Sequence, residues 1–356
     1  MRQLRGVEAE YNSPLEKVRG GGVSCGSSEA WPMNRTGISR VEVVVALLVV
    51  ALILALVTPA VLSAREAARF AACQDNLRRL GEAMQSFQQT HGVFPPGRKI
   101  HYAHQTIFLT LLPYLGMQSL YDQLDQTWDM TDPKFHALQK EPVAVLQCPS
   151  DWASRPSSKS STKTSYAGNM GTGVQRYGYN GMFRPLGPDE PVSTYRSGPI
   201  GPDDVMDGLS TTTALAEWLC GTVETHGSDR LRTVWQTPNY RIEPAQLEEF
   251  ARECLSIPAN PARFGWRRNG DLGVTWLLNS PMDSMYNHIL APGNPSCTNG
   301  TKVQEGAYTA NSPHAPGVNV LFADGHVECI ARDIDQQAWR AIGSRVECDL
   351  IFRLDW

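Results

Sequence analysis

Near the C-terminal end of the chain, His314, Asp324 and His326 are the residues best able to act together chemically. Imidazoles with a carboxylate suit zinc or a similar ion, although the spacing is not that of a zincin. A second reading explains half of this group without a metal. Residues 318–323 and 326–331 are apolar-rich runs flanking Asp324-Gly325, the signature of a β-hairpin with a two-residue loop. In that register Phe322 faces Val327, Val320 faces Cys329 and Val318 faces Ala331, so all six share one apolar face. Asp324 and Gly325 are therefore expected to be turn residues. His314 is expected to hydrogen-bond a neighbouring loop, and no metal site is assigned.

Other reactive residue types are dispersed. Eight cysteines, Cys25, Cys73, Cys148, Cys220, Cys254, Cys297, Cys329 and Cys348, include no CxxC pair, which disfavours a zinc ribbon. They suit disulfides in an exported domain, with the connectivity left open. The Ser/Lys/Thr-rich stretch 157–164 lacks a Walker glycine pattern, and no GxSxG, HExxH or GxGxxG element occurs. Trp218, Trp235, Trp266 and Trp276 are expected as core or interface anchors, with a ligand-binding surface as the rival reading. No catalytic residue and no cofactor is assigned, and an enzyme is not expected.

The elements that must position these residues begin with an apolar run. Residues 43–64 hold no charge over 22 positions. About 20 such residues cross a bilayer as a helix, whereas a signal-peptide apolar region is ~7–15 residues long. Beyond Arg65, apolar residues recur at Phe70, Cys73, Leu77, Leu80, Met84 and Phe87, with Arg78, Arg79 and Glu82 off that stripe. Gly92 and Pro95-Pro96-Gly97 supply the stop. One helix over 38–92 is expected, crossing the membrane at about 43–64 and packing its distal stripe on a globular domain over 93–356. The fold class is α+β: a long N-terminal transmembrane helix packed on a loop-rich antiparallel β-sheet. A formal net charge of −4 gives no reason to expect nucleic acid as a partner.

Immediately before the apolar run stands Arg35-Thr36-Gly37-Ile38-Ser39-Arg40-Val41-Glu42. This resembles the cleavage and methylation site of type IV prepilins and type II secretion pseudopilins. The resemblance implies that prepilin peptidase cuts after Gly37 and that Ile38 becomes the methylated N-terminal residue. It implies that Glu42 pairs with a neighbouring subunit's α-amino group. Ile38 stands where the family more often has Phe, and Arg40 where it has an aliphatic residue. Residues 1–37 are expected to be a leader, with Met33 as the expected translation start.

Further stretches resemble a large family of prepilin-like bacterial proteins, the domain of unknown function numbered 1559 with its processing-associated H-X9-DG element. They include Cys73-Gln74-Asp75-Asn76-Leu77, Gly92-Val93-Phe94-Pro95-Pro96-Gly97, Cys148-Pro149-Ser150-Asp151 and Ser165-Tyr166-Ala167-Gly168-Asn169, and His314 with Asp324-Gly325 completes the pattern. The family gives the element no established role. Residues 221–283 match poorly and are expected to be divergent or inserted.

The resemblance implies a single-pass protein of the cytoplasmic (inner) membrane with its C-terminal domain outside the cytoplasm. Its partners would be the lipid bilayer, prepilin peptidase and other pilin-like subunits of a type II secretion or type IV pilus-like assembly. The alternative is a membrane-tethered binding module for glycan or another envelope ligand, with the prepilin leader serving only delivery.

Overall fold

The computed structural model describes residues 39–99, 106–124, 131–155, 161–174, 180–186, 198–221, 229–239, 242, 246–278 and 280–346. The chain forms two compact units, Met1–Thr58 and Pro59–Trp356. Helix α1 runs from Arg40 to His91, 52 residues, with Pro59 inside it.

In the first unit α1 starts at a capping box. The Glu42 N–H donates to Ser39 Oγ at 3.2 Å, and the Ser39 N–H donates to Glu42 Oε2 at 2.8 Å. This reciprocal pair satisfies two backbone donors that a helix start leaves open. Every residue from Val43 to Val57 is exposed. An aliphatic surface of this extent is strongly unfavourable in water. By length and composition, α1 is the one helix among the described residues able to cross a membrane.

In the second unit the distal part of α1 buries Cys73, Leu77, Leu80, Gly81, Ala83 and Met84, while Arg78, Arg79 and Glu82 stay exposed. That is the stripe read from the sequence, with Phe70 and Phe87 half-buried at its ends.

The strands are β1 (Arg98–Lys99), β2 (Tyr166–Asn169), β3 (Pro185–Leu186), β4 (Thr213–Glu217), β5 (Thr233–Thr237), β6 (Arg268–Asp271), β7 (Met285–Tyr286), β8 (Ser296–Asn299), β9 (Lys302–Ala307), β10 (Val318–Phe322) and β11 (Val327–Ile330). A five-stranded sheet has the order β11-β10-β4-β2-β7, and a four-stranded sheet the order β6-β5-β8-β9. The main core joins Leu77, Leu80 and Met84 to Tyr166, Leu215, Val320 and Leu321.

The α+β class is as expected, but the sheets are mixed. β2–β7 and β5–β8 are parallel, as is the short pair β1–β3. Parallel neighbours need long crossover connections, and the strands of each of these pairs are far apart in sequence. The poorly matching stretch 221–283 holds β5, β6 and the helix Leu247–Leu255. It supplies two strands of the second sheet and much of a second small core around Trp235, Phe250 and Cys254.

The hairpin forms with a different register from the expected one. Val318 pairs with Ile330, Asn319 with Cys329, Val320 with Glu328 and Leu321 with Val327. The loop has three residues, Ala323-Asp324-Gly325, closed by Phe322 N–H to His326 O at 2.9 Å and Gly325 N–H to Phe322 O at 3.0 Å. Gly325 adopts φ +99°, the left-handed region that a three-residue hairpin demands of its last loop residue. One extra loop residue shifts every pairing by one. The expected pairs 322–327, 320–329 and 318–331 are thereby corrected. Asn319 and Leu321 can turn toward α1 because β10 is buried on both faces, not one.

Candidate functional site

The second unit brings five polar or reactive groups together beside α1. The helix contributes Glu66 and Cys73 on one face, with Phe70 between them. The segment before β2 contributes Cys148, the end of β4 contributes Glu217, and the loop before β10 contributes His314. Cys73 and Cys148 form a disulfide with a Cα–Cα distance of 5.4 Å.

His314 is 1% exposed and lies at the centre of the group. Its Nδ1 is 2.9 Å from Glu66 Oε1. A carboxylate only accepts, so Nδ1 carries a proton and donates. The other ring nitrogen, Nε2, is 3.5 Å from Cys148 Sγ and 3.8 Å from Glu217 Oε1. Phe70 packs edge-on against the imidazole at 5.1 Å. The loop is fixed from behind: Arg332 donates to the carbonyls of Ser312 and His314 at 2.9 and 2.7 Å.

The two carboxylates differ. Glu66 is half-exposed; it accepts from the Ser150 hydroxyl at 2.9 Å and lies 3.6 Å from Arg69. Partial desolvation pushes its carboxyl up, but the hydrogen bonds of His314 and Ser150 and the charges of His314 and Arg69 outweigh it. The net result is a carboxyl held below its ordinary value. Glu217 is 1% exposed, and burial pushes its carboxyl up against the opposing pull of His314, Ser312 and Asn319. Asn319 supports it twice, through its backbone N–H to Oε2 and its side-chain amide to Oε1, each at 3.1 Å. Gln74 of α1 donates in turn to Asn319 Oδ1 at 3.2 Å. Helix and sheet are thus joined by a polar path from Gln74 through Asn319, Glu217 and His314 to Glu66.

The expected site residues separate spatially. His314 lies beside Glu66 and Phe70, whereas Gly325 lies further along α1 beside Gly81. A Cβ at Gly81 would come within 2.8 Å of Leu321 Cδ1 and 3.5 Å of the Gly325 Cα. Gln85 donates to the Ala323 carbonyl at 2.5 Å. Asp324 is a turn residue: its Oδ1 accepts from the His326 backbone N–H at 3.1 Å and is 2.6 Å from His326 Nδ1. A shared metal on His314, Asp324 and His326 has no structural basis, because the His314 ring is directed at Glu66, Cys148 and Glu217 instead. His314 is expected to hydrogen-bond a neighbouring loop; its short hydrogen bond goes instead to Glu66 of helix α1.

The segment Cys148-Pro149-Ser150-Asp151 now has a physical reading. Cys148 bonds to Cys73, and Ser150 donates to Glu66. The buried Asp151 accepts from Arg232 at 2.6 Å and from the Cys220 N–H at 2.8 Å. A second disulfide joins Cys254 and Cys297, and Cys220 and Cys329 are free thiols. Cys25 and Cys348 lie outside the described residues, as do Gly37, Ile38 and the rest of the leader, Met33 included. Trp218, Trp235 and Trp276 are buried, so they anchor the core as expected, and Trp266 is half-buried.

Two participants, Glu66 and Glu217, escaped the sequence reading. Glu217 carried a signal: it is a lone charge in the apolar run Ala214-Leu215-Ala216-Glu217-Trp218-Leu219, where an ionisable group needs a buried partner. Glu66 carried none beyond its place on the helix.

A family model described as a protein of unknown function (DUF1559) matches residues 62–337. No curated protein and no solved structure matches the chain.

Proposed function

We propose, from the premise that this chain belongs to the DUF1559 family, that it is a prepilin-like, single-pass membrane protein of the cell envelope. Its work is structural or interactive rather than catalytic. The observation that carries this reading is the fully exposed aliphatic helix surface over 43–57, beginning directly after Arg35-Thr36-Gly37-Ile38-Ser39-Arg40-Val41-Glu42. Prepilin peptidase cuts after Gly37, and Ile38 becomes the methylated first residue. The inner membrane holds 43–64, and the sheet-bearing unit stands outside the cytoplasm. Two disulfides support an oxidising compartment for that unit.

Glu42 has two roles in this reading. Within the chain it caps α1 through the Ser39 N–H. Between chains its carboxylate receives a neighbouring subunit's α-amino group, because an ionised group at the membrane edge is costly without a partner. A charge-assisted hydrogen bond of this kind contributes about 1.5–3 kcal/mol. Glu42→Ala should therefore weaken self-association roughly ten- to hundredfold, read by cross-linking in membranes. Wild-type chains that cross-link only as monomers contradict the subunit role.

One observation favours the alternative, a tethered binding module. A cavity of about 490 Å³ is lined by Phe87, His91, Phe94, Tyr114, Tyr121 and Leu124. Aromatic lining of this size suits a small apolar or sugar-like ligand. Under that reading Glu42→Ala leaves ligand binding intact, whereas Tyr114→Ala abolishes it.

A further inference from the structure

We propose that Cys73, Cys148, Glu217 and His314 form a redox-gated binding site for one zinc-type divalent cation, open only when the Cys73–Cys148 disulfide is reduced. One ligand atom from each of the four residues lies within 4.8 Å of the other three, and all four residues are buried. Two thiolates, an imidazole and a carboxylate are a zinc donor set, and tetrahedral bond lengths place such ligand atoms roughly 3.3–3.8 Å apart. The Nε2 of His314 already stands 3.5 Å from Cys148 Sγ and 3.8 Å from Glu217 Oε1. Breaking the Sγ–Sγ bond lets the two sulfurs part to the same spacing.

The surroundings point the same way. A ligating histidine normally donates its other N–H to a carboxylate, which fixes the ring and leaves the second nitrogen free for the metal. His314 has this arrangement, with Nδ1–H on Glu66 at 2.9 Å and Nε2 facing the sulfurs. A ligating carboxylate is held by hydrogen bonds in turn, and Asn319 holds Glu217 through two. These supports come from α1 and β10, and two of the donors, Cys73 and Glu217, stand on α1 and β4, so the site is placed by regular elements rather than by loops alone. The charge argument agrees: a buried Glu217 carboxylate and two thiolates need a dication beside them.

The chemistry balances with a dithiol as reductant. The dithiol gives two electrons and two protons to the disulfide, leaving Cys73 and Cys148 as thiols and itself becoming a disulfide. The cation then displaces the two thiol protons to solvent and is held by both thiolates, His314 Nε2 and a Glu217 oxygen. Reoxidation by a small-molecule disulfide, which accepts the two electrons, takes up two protons from solvent and leaves as a dithiol, withdraws two of four ligands and releases the ion. Oxidised, the site staples α1 to the sheet; reduced, it holds metal there.

The test uses the full chain in detergent micelles, reduced anaerobically by a water-soluble phosphine, freed of reductant and titrated with Co²⁺. The expected result is one cobalt per chain, with cobalt–thiolate charge-transfer absorption and the strong visible bands of a tetrahedral ion. The oxidised chain should show neither. Glu217→Gln and His314→Ala should each weaken cobalt binding by at least about tenfold. X-ray absorption on the wild-type protein, which does not depend on a variant folding, should show a shell of two sulfurs and two lighter donors. A reduced wild-type chain without the charge-transfer absorption overturns the proposal, as does a shell lacking sulfur or a His314→Ala chain that binds as tightly as wild type.

Discussion

His314 Nδ1 meets Glu66 Oε1 at 2.9 Å across a sequence separation of 248 residues. The contact ties the loop before β10 to the part of α1 just beyond its apolar run. Further along, Gly325 approaches Gly81 and the Ala323 carbonyl receives Gln85. Glu66 and Gln85 are about 28 Å apart along the helix, at 1.5 Å per residue. The H-X9-DG element is thus a strap laid along α1, with the histidine fastening one end and the Asp-Gly turn the other.

Removing the buried end should cost more than removing its exposed partner. His314→Ala leaves the buried Glu217 without its imidazole and should destabilise the folded unit by about 2–4 kcal/mol. Glu66→Gln disturbs a half-exposed group, where solvent screens the pair, and should cost under about 1 kcal/mol. Denaturant unfolding of both variants checks the order, and equal losses would contradict the burial argument.

The other end depends on backbone freedom. Gly325→Ala forces a side chain into φ +99° and should cost roughly 1–2 kcal/mol. Gly81→Val adds bulk against Leu321 and should cost about 1–3 kcal/mol. Asp324→Asn keeps an oxygen for the His326 N–H and should stay within about 0.5 kcal/mol. Thermal unfolding of the three variants gives the ranking.

Each disulfide closes a long loop, with sequence separations of 75 and 43 residues. Loop-closure entropy assigns each about 4 kcal/mol of stability. Replacing Cys73 and Cys148 together by Ala should lower the denaturant midpoint accordingly. In the native oxidised protein Cys329 should react with a thiol reagent while Cys220 should not, because Cys220 is buried and burial pushes its thiol well up. Mass mapping of the labelled peptides reads this directly.

Two buried groups of the second unit should drive its stability in opposite directions as pH changes between about 3 and 7. Burial raises the Asp283 carboxyl from 3.8 to about 7. The folded state therefore binds a proton that the unfolded state has lost, and stability falls as pH rises from about 4 to 7. Asp283→Asn should flatten that limb. Burial lowers the His288 imidazole from 6.5 to about 3, against the pull of the Trp339 carbonyl. The unfolded state takes up the proton first here, so stability falls as pH drops from about 6.5 to 3. The two slopes oppose each other between about pH 4 and 6.5, so denaturant midpoints of the wild type and of Asp283→Asn, compared across that range, separate them.

What was legible in the sequence followed from periodicity. The charge-free run and the stripe from Cys73 to Met84 announced α1, and Asp324-Gly325 announced the hairpin. Its register was not legible, because a two- and a three-residue loop share the same Asp-Gly signal and differ only in whether Ala323 belongs to the strand. The parallel pairings were hidden for a related reason, since a crossover leaves no local mark on the strands it joins. The cluster around His314 was invisible because its own loop, the helix that carries Glu66 and Cys73, the segment of Cys148 and the strand of Glu217 are four segments that only the fold assembles. Glu42 showed the converse: its place beside the apolar run suggested pairing between chains, and the capping box adds a partner three residues away that spacing alone could have named.

The N-terminal residue of the mature protein, read by mass spectrometry from purified membranes, tests the prepilin-like reading most directly. The expected peptide begins at Ile38 and carries one methyl group on its α-amine. A membrane-derived peptide that runs unbroken through the Gly37–Ile38 bond would contradict it.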